Sequence, residues 1–464
     1  MSRRRRHLPT PCQAHVAPPE AAPAQVASEV PLLIRIEREV EDEFRPAMCA
    51  RLSEKIAATE ISLEVPGCDE CGQAMKSRGR RSASFVTRFG ELTLRPATYR
   101  CKPCKRQRRP LLEALAVEVG RVSGSLARLL ALLGVVVPYQ LAARLAHLFF
   151  GAEVSAMTVW RSVQRLGQAA DRYVDEQAKW HGDARRATED GCDPTGPDAV
   201  VLGVDGSVLG MQVRPRRRRR QGGEALPPLP PLEDGHFREV KTGVLLLPHE
   251  RVETSPGRRS VLRRVLVSCL GNADRVFELL WSKLQELRWL GANTVVVIVG
   301  DGAEWIWRRA SMFPRRCEIL DFWHAVEHAW DFARLRFGSE SKQAVNWVGR
   351  IVEDLRAGKV KAILLRLRKL EVTKTEDGEV LEALIRYYDD NQERMKYDEY
   401  LRKGYGIGSG AVESAHKQVL HARLRQAGMR WSELGAQRLL ALRILLLNDQ
   451  WSLLDRLTMT TVVA

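Results

Sequence analysis

The sequence predicts an α/β core that is interrupted by an all-α insertion and preceded by two smaller modules. Three observations lead to this prediction. Strand-like and helical patterns alternate between residues 198 and 321, a helical pattern fills 322–402, and two cysteine pairs lie between residues 66 and 110. The chain has 464 residues, which is more than one hydrophobic core usually supports. We therefore expect several domains.

Charge and composition narrow the class of protein. The formal net charge is +16, which favours a polyanionic partner, either nucleic acid or an acidic membrane surface. The chain has no apolar run long enough to span a bilayer and no apolar stretch behind its first arginines, so neither a membrane protein nor a secreted one is expected. Nine cysteines without a regular framework favour a reducing cytoplasm over a disulfide scaffold.

The amino-terminal 65 residues are expected to contain a tail and a helical segment. Residues 1–30 are rich in arginine and proline and are predicted to be disordered. Residues 31–65 are predicted to form one or two amphipathic helices, with the break at Pro46. Their apolar residues at helical intervals are Leu33, Ile36, Val40 and Phe44.

Residues 66–110 are predicted to form a zinc-ribbon-like module. The predicted Zn²⁺ ligands are Cys68, Cys71, Cys101 and Cys104. Two cysteines separated by two residues can both face one tetrahedral ion, and the predicted hairpin of 84–89 and 91–98 would bring the two pairs together. The alternative is that four reduced cysteines merely pack in a small core. The surrounding basic residues suggest a structural module that contacts DNA: Arg78, Arg80, Arg81, Arg95, Arg100, Lys102, Lys105, Arg106, Arg108 and Arg109.

Residues 111–180 are predicted to be a helical DNA-binding region with a helix-turn-helix candidate at 138–167. A helix is expected after Pro138, with Gly151 at its end, and a second helix is expected from an N-cap at Ser155 to Gly167. The apolar face of the first helix is Leu141, Leu145, Leu148 and Phe149. The residues expected toward solvent or the DNA groove are Thr158, Trp160, Arg161, Gln164 and Arg165. An ordinary helical hairpin is an equally good interpretation of this pattern.

The predicted core has two parts. The first part spans 198–321, and within it the stretch 214–235, with six arginines followed by prolines, is expected to be a mobile insertion or a basic arm along nucleic acid. The helical insertion at 322–402 follows. The carboxyl-terminal part, 403–451, is expected to hold a long helix and then a second one.

Three acidic residues lie at positions where active-site residues are common, at the ends of predicted strands or near the start of a predicted helix. Asp205 and Asp301 each follow a buried-strand pattern and precede a glycine, and Glu413 lies early in a helix after a glycine-rich stretch. A single Asp-Gly after a strand is more often only a turn. Converging carboxylates repel each other unless a divalent cation neutralises them, and oxygen ligands favour Mg²⁺ or Mn²⁺.

Four sequence motifs carry a resemblance to a known family. They are VDG at 204–206, GDGAEWIW at 300–307, DFWHA at 321–325 and GIGSGAVES at 406–414. With these motifs the chain resembles the DDE transposases of bacterial insertion sequences, in particular the ISKra type, which is distantly similar to Mutator-like transposases. The resemblance extends over roughly residues 60–451 and includes NxxRMxY from residue 391 and GMRWS from residue 428.

The resemblance implies a fold and an activity. It implies a ribonuclease H-like core in which Asp205, Asp301 and Glu413 bind two Mg²⁺ ions and carry catalysis. It also implies that Asp321 and His324 support the site or position DNA, although a strand-end carboxylate beside a packed histidine is an equal alternative. The implied partners are double-stranded DNA, as terminal repeats and target, and further copies of the chain in a homo-oligomer on DNA. The expected location is the cytoplasm at the nucleoid, without a membrane partner.

Basic residues after Glu413 are candidate phosphate contacts. They are Lys417, His421, Arg423 and Arg425. The fourfold spacing of Lys417, His421 and Arg425 from Glu413 would place them on one side of a continuous helix. A solvated basic face is the plain alternative. The alternative function is a catalytically inactive, zinc-containing DNA-binding protein, either a decayed or a domesticated transposase.

Overall fold

The computed structural model describes residues 30–117, 122–187, 196–212, 236–255, 258–261, 263–339, 341–372 and 375–459. The predicted tail at 1–30 and the predicted insertion at 214–235 lie, apart from Val30, outside these residues. The amino-terminal elements are α1 (Leu32–Ile61), β1 (Lys76–Arg80), β2 (Ala83–Thr87), β3 (Gly90–Leu94), β4 (Ala97–Arg100), β5 (Gln107–Arg108) and α2 (Pro110–Ala114).

Helix α1 is a single helix of 30 residues that runs through Pro46. The break expected at Pro46 is therefore wrong. A proline removes one backbone hydrogen bond, and here the turns on both sides are long enough to hold the helix together. Arg45 pairs with Glu41 one turn earlier, which supports the helix just before the proline.

The cysteine module consists of two small sheets. Strands β2 and β3 form the predicted antiparallel hairpin, with Gly90 in a positive-φ conformation at its turn. The second predicted strand of the hairpin, 91–98, is divided in the structure. Its last residues belong to β4, which pairs with β1 and β5 in the second sheet and ends at Arg100, immediately before Cys101.

Helices α3 (Gly124–Val136), α4 (Tyr139–Phe150) and α5 (Ala156–Ala187) pack together as a three-helix unit. The turn between α4 and α5 follows the sequence prediction. Gly151 ends α4 with a φ of 59°, and the Ser155 hydroxyl accepts a hydrogen bond from the Thr158 amide at 3.2 Å. In the unit, Trp160, Arg161 and Arg165 are exposed, whereas Gln164 is buried and does not face a groove.

Two details of the predicted helix pair are wrong. Helix α5 does not end at Gly167 but continues to Ala187. The expected apolar face of α4 is also turned outward, because the small residues Ala142 and Ala146 pack inside while Leu141, Leu148 and Phe149 are exposed. Alanines allow α4 to approach its neighbours closely, which decides the face that is buried.

Gly167 permits a close helix contact. A Cβ added at this position would lie 2.5 Å from the carbonyl oxygen of Arg438 in the carboxyl-terminal part of the chain, well inside van der Waals contact. The residue is a packing site, and a glycine in a sequence alone does not distinguish this use from a helix end.

We expect Gly167→Ala to destabilise the protein by about 1–3 kcal/mol, because the methyl group overpacks this contact. Gly182→Ala in the same helix is the matched control, since no described atom outside the local helix backbone lies within 4 Å of a Cβ added there. The control is expected to be neutral or to stabilise by up to about 1 kcal/mol through helix propensity. Urea unfolding followed by circular dichroism measures both, and equal stability of the two variants would contradict the prediction.

The central part contains the main sheet. Its elements are β6 (Ala199–Gly210), β7 (Phe237–Leu246), β8 (Arg251–Ser255), β9 (Arg258–Val261), β10 (Val265–Leu270), α6 (Ala273–Glu286), β11 (Val295–Gly300), α7 (Glu304–Ala310) and β12 (Arg316–Leu320). The strand order is β10-β7-β6-β11-β12. Strand β7 is antiparallel to both of its neighbours, whereas β11 and β12 run parallel to β6. The hairpin β8–β9 was not expected from the sequence.

Helices form the carboxyl-terminal part. They are α8 (Phe322–Phe337), α9 (Lys342–Arg356), α10 (Val360–Arg368), α11 (Thr375–Asn391), α12 (Tyr397–Arg402), α13 (Gly410–His416), α14 (Glu433–Leu447) and α15 (Leu453–Met459). Helices α8–α12 occupy the segment 322–402 that the sequence predicts to be helical. The architecture is thus a mixed α/β sheet with helices on both faces.

Two apolar clusters hold the helices to the sheet. One joins the sheet to α6–α12, and the other joins it to α13, α14 and the three-helix unit. Within the described ranges, no helix carries the long apolar run that crossing a bilayer requires.

Candidate active site and zinc site

Two predicted catalytic residues lie side by side where the parallel pairing of β6 and β11 ends. Asp301 directly follows β11 as predicted, but Asp205 does not follow its strand, because β6 continues to Gly210 through its pairing with β7. The parallel pairing of β6 and β11 places Gly203 opposite Val299, so Asp205 and Asp301, two residues further along each chain, fall in register. Residues in register on neighbouring strands point to the same face of a sheet. The carboxyl edge of parallel strands is where open α/β sheets bind ligands. The structure therefore places these two aspartates next to each other.

A third aspartate continues the row. Gly300 pairs with Leu320 of β12, which places Asp321 beside Asp301. Asp321 is fully buried, and its Oδ1 accepts hydrogen bonds from the amides of Trp323 at 2.6 Å and His324 at 3.0 Å at the start of α8. Burial opposes ionisation, but the hydrogen bonds from His324 and Ser409 outweigh it and lower the pKa of Asp321.

Helix α13 covers the face to which Asp205 points. Its Val412 packs over Gly203, where an added Cβ would lie 3.4 Å from the Val412 Cβ. The amide of Ser409, just before α13, donates to Asp321 Oδ2, and its hydroxyl donates to Glu413 Oε1 at 3.0 Å. Ser409 therefore links the exposed Glu413 carboxylate to the buried end of the aspartate row.

His416 belongs to this site, although the sequence interpretation did not include it. Its Nε2 lies 3.3 Å from Asp205 Oδ2, and the residue is only 5% exposed. Among the described residues, neither ring nitrogen has a hydrogen-bond partner with good geometry. The signal was present in the sequence, because a residue three positions after Glu413 lies on the same side of a helix.

The three predicted catalytic carboxylates are not gathered around one point. In the part of the chain that the structure describes, only the four cysteines form a group of three or more His, Cys, Asp or Glu ligand atoms within 4.8 Å of one another. The chemistry of Asp205, Asp301 and Glu413 suits a hard cation such as Mg²⁺. Their side-chain positions do not suit one shared cation. Asp205 Oδ1 accepts a hydrogen bond from the Gly206 amide, and Glu413 Oε1 accepts one from the Ser409 hydroxyl.

His324 carries a positive charge beside this row. Its Nδ1 lies 3.8 Å from Asp321 Oδ1, and that carboxylate raises the pKa of His324 to about 9 against the opposing effect of burial. The imidazolium is 37% exposed, so one side of it remains open to solvent. A cation at this place can attract a phosphate or a carboxylate.

We expect His324 to titrate near pH 9 and Asp321→Asn to move its pKa down toward the ordinary 6.5. Because the folded-state pKa is the higher one, this pair stabilises the fold fully below pH 6.5, and the contribution disappears as pH rises through 9. NMR titration of the histidine ring protons measures the value. His328, whose pKa is lowered by burial, is the internal reference. A wild-type His324 that titrates near 6.5 would contradict the prediction.

The basic residues after Glu413 do not share one helix. Helix α13 ends at His416 and a π-helical turn, Lys417–His421, follows it, so the predicted continuous long helix is wrong. Lys417 remains exposed. Arg425 nevertheless reaches the sheet edge, where its Nη1 donates to Ser207 Oγ at 2.9 Å and lies 3.2 Å from His421 Nε2.

Arg423 is buried and does not face solvent, so the structure leaves it a supporting role and not a DNA contact. Its Nε donates to Gly134 O at 2.9 Å, and its guanidinium lies 4.8 Å from the Tyr139 ring centroid and 5.2 Å from that of Trp431. Arg443 is buried nearby and donates from Nη1 to Val135 O at 2.8 Å.

Arg423 and Arg443 link the end of α3 to the π-helical turn and to α14, which carries Arg443. Gly134 O and Val135 O belong to the last turn of α3, where a cation is favourable for the helix dipole. Arg443 also donates from Nε to Val419 O at 2.8 Å, within the π-helical turn. In the described residues neither guanidinium has a carboxylate in contact. Burial lowers the pKa of Arg443 to about 10, and the positive charge of Arg423 makes a smaller contribution in the same direction.

The four predicted zinc ligands come together at the ribbon. Their sulfur atoms all lie within 4.8 Å of one another, and Cys71 Sγ is 3.6 Å from Cys101 Sγ. A tetrahedral Zn²⁺ with Zn–S bonds of about 2.3 Å requires sulfurs roughly 3.8 Å apart. The donor set and its spacing fit a structural zinc site. All four sulfurs are used, so no position is left for a substrate.

The residue that follows each cysteine pair has the same left-handed backbone conformation. Gly72 and Lys105 each follow the second cysteine of a pair, and both have left-handed φ values, 68° and 60°. The amides of Cys71 and Glu70 point at the sulfur of Cys68 and lower its pKa to about 7. These hydrogen bonds favour the thiolate form of Cys68, which is the form that binds a metal.

Part of the basic surface of the ribbon is neutralised. Arg106 pairs with Glu70 at 2.5 Å, and Arg108 pairs with Asp69 at 2.7 Å and with Glu113 at 2.6 Å. Exposed basic residues without these pairings remain at Arg78, Arg81, Arg95, Lys102 and Lys105. They keep the ribbon surface positive.

No protein-family model matches the chain. No curated protein matches it either.

Proposed function

We propose that the chain is a DDE transposase with a ribonuclease H-like core. The observation that carries this proposal is the row of Asp205, Asp301 and Asp321 on three neighbouring parallel strands, next to the helix that bears Glu413. Asp205 lies within β6 just beyond its pairing with β11, and Asp301 and Asp321 directly follow β11 and β12. In the strand order β10-β7-β6-β11-β12, only β7 runs antiparallel to the other strands. This arrangement supports a ribonuclease H-like core. Asp205, Asp301 and Glu413 are the proposed catalytic carboxylates.

The remaining parts of the chain have proposed roles on DNA. The zinc ribbon and the helix-turn-helix-like pair α4–α5 bind the terminal repeats of the insertion sequence, because both present exposed arginines. His324 and Arg425 add positive charge near the row of aspartates, where a phosphate backbone would lie. Target DNA enters at the same edge, and a homo-oligomer holds the two element ends in the cytoplasm at the nucleoid.

Two Mg²⁺ or Mn²⁺ ions are the proposed cofactors of the carboxylates. Bound there, such ions would activate the oxygen that attacks a phosphodiester and neutralise the charge that develops on the leaving oxygen. Their binding requires Glu413 to leave Ser409 and Asp205 to turn from the Gly206 amide. The reaction hydrolyses the element ends, and the freed 3′-OH then joins target DNA.

One observation favours a second candidate function. Among the described residues, oxygens of Asp205, Asp301 and Glu413 do not all lie within 4.8 Å of one another. This separation is compatible with a catalytically inactive DNA-binding protein. In that alternative the chain is a decayed or domesticated transposase that retains the ribbon and the helical unit. It would bind the flanking DNA without cutting it.

The experiment that separates the two candidates uses DNA fragments that contain the sequences flanking the coding region. The purified full chain is incubated with them in Mg²⁺, in Mn²⁺ and in EDTA, and the products are resolved on a denaturing gel. A transposase cleaves at the element end in Mg²⁺ or Mn²⁺ and not in EDTA. Binding of the flanks without cleavage under any of these conditions favours the inactive protein, and binding no stronger than to unrelated DNA overturns both.

A further inference from the structure

His416 is a buried histidine whose ring lacks a hydrogen-bond partner among the described residues. It is the last residue of α13 and is 5% exposed. Both Nδ1 and Nε2 are without such a partner in the part of the chain that the structure describes. A buried ring nitrogen in this state costs free energy, because it has lost its hydrogen bonds to water. A bound ion removes that cost by using the nitrogen lone pair.

The backbone on both sides of His416 is held in place. Before it, Arg264 Nη1 donates a hydrogen bond to Ser414 Oγ at 3.0 Å. After it, Arg443 Nε donates to Gln418 O at 2.9 Å within the π-helical turn. Single π-helical turns at the end of or within helices often occur at functional sites. The position of the His416 ring is therefore built into the fold.

The nearest carboxylate oxygen is free to share an ion with this ring. Asp205 Oδ1 accepts from the Gly206 amide at 2.7 Å, and Asp205 Oδ2 lies 3.3 Å from His416 Nε2. Two ligand atoms at about 2.1 Å from one ion are about 3.0 Å apart in octahedral geometry and about 3.4 Å apart in tetrahedral geometry. The observed separation lies between these values. Binding through Oδ2 leaves the bond to the Gly206 amide intact, so it does not need the turn of Asp205 that joint binding with Asp301 requires.

The donor set of this pair selects the kind of cation. Mg²⁺ takes oxygen ligands in proteins, whereas imidazole nitrogen suits first-row transition metals. A site with one nitrogen and one carboxylate oxygen therefore discriminates against Mg²⁺. Glu413 lies one turn before His416 on the same side of α13, and its carboxylate can add a further oxygen after it leaves Ser409.

We propose that Asp205 and His416 form a cation site that takes a divalent transition-metal ion such as Mn²⁺ in preference to Mg²⁺, with His416 Nε2 as a ligand. The site exists in the protein without DNA. The inference rests on the proposed function only in that Asp205 is one of the proposed catalytic carboxylates. It adds a nitrogen ligand and a metal preference that three carboxylates do not supply.

The test uses Mn²⁺ as the probe and the full chain, with its cysteine site loaded with Zn²⁺ and without DNA. The EPR signal of free Mn²⁺ measures binding, and pulsed EPR detects nitrogen nuclei coupled to the bound ion. We expect about one Mn²⁺ per chain, a nitrogen coupling, and displacement by Mg²⁺ only at concentrations at least about 10-fold higher. His416→Gln is expected to remove the coupling and raise the Mn²⁺ Kd at least about 10-fold, and Asp205→Asn should weaken binding to a similar extent.

The matched control is His249→Gln, because His249 is an exposed histidine in the turn after β7. This variant should retain both Mn²⁺ binding and the nitrogen coupling. The site is excluded if the wild type binds no Mn²⁺, if its bound Mn²⁺ shows no nitrogen coupling, or if the coupling survives in His416→Gln. Far-UV circular dichroism checks that the variants are folded, and the coupling in the wild type is independent of any variant.

Cleavage of flanking DNA is assayed separately, so the two proposals can fail independently. Nitrogen-coupled Mn²⁺ without any cleavage supports the cation site and contradicts the transposase activity. Cleavage by a protein that binds Mn²⁺ through oxygen alone supports the transposase activity and overturns the role of His416.

Discussion

Asp301→Asn is expected to abolish end cleavage, with a loss of at least about 1,000-fold in the rate. Asparagine has the same shape as aspartate but no charge, so it cannot help to hold a divalent cation or balance its charge. Asp301 follows β11 directly, and its Oδ1 accepts from the Ala303 amide at 3.0 Å, a bond that asparagine can keep. The variant should therefore fold normally and bind flanking DNA with unchanged affinity.

The measurement is the initial rate of end cleavage in Mg²⁺, with DNA binding measured separately in Ca²⁺. Asp205→Asn should show the same separation of cleavage from binding. Asp390→Asn is the matched control, because Asp390 is an exposed aspartate on α11 that does not belong to the aspartate row. Wild-type cleavage by Asp301→Asn would exclude a catalytic role for this residue, and a proportional loss of DNA binding would assign it to recognition.

Loss of the zinc site is the second change with a large expected effect. We expect Cys101→Ser to lower the zinc content of the purified protein from about one ion per chain to nearly zero and to unfold the ribbon. Structural zinc sites in small peptides contribute about 10–16 kcal/mol of apparent binding free energy, and this energy is folding energy. Beyond the sulfurs, the module has only a few buried side chains, including Met75, Phe85 and Leu92.

Zinc content is measured by elemental analysis, and ribbon folding by limited proteolysis. The control is Cys49→Ser, because the Cys49 thiol donates to Phe89 O at 3.0 Å in the same region and a serine hydroxyl can replace it. Zinc binding should also weaken as pH falls, since each thiol must lose its proton. The proposal of a zinc site fails if Cys101→Ser retains zinc or if the wild type purifies without it.

The parts of the fold that follow from local chemistry were predictable from sequence. The ribbon hairpin, the turn from Gly151 to Ser155 and the strand of Val295 to Gly300 each depend on a few neighbouring residues. The alignment of Asp205 with Asp301 was also within reach, because each is preceded by a buried apolar run and two such runs in parallel register bring their last residues together.

Features that depend on distant contacts were not predictable. Gly167 resembles a helix end in sequence, and only the approach of Arg438 reveals its packing role. The α4 helix has an apolar face and an alanine face, and its neighbours decide which of them is buried. The spacing of His416 from Glu413 places both on one side of α13, but the contact of His416 with Asp205 depends on the packing of α13 on β6.

The buried arginines have a consequence for motion within the molecule. Arg423 and Arg443 hold the end of α3 to the turn that follows α13, and they do so through hydrogen bonds to carbonyl groups. Separating these elements would strand two cations in an apolar interior, at a cost of several kcal/mol each. The three-helix unit and the helix bearing Glu413 are therefore expected to behave as one stiff body, so that a force applied at α4 or α5 displaces Glu413 relative to the sheet.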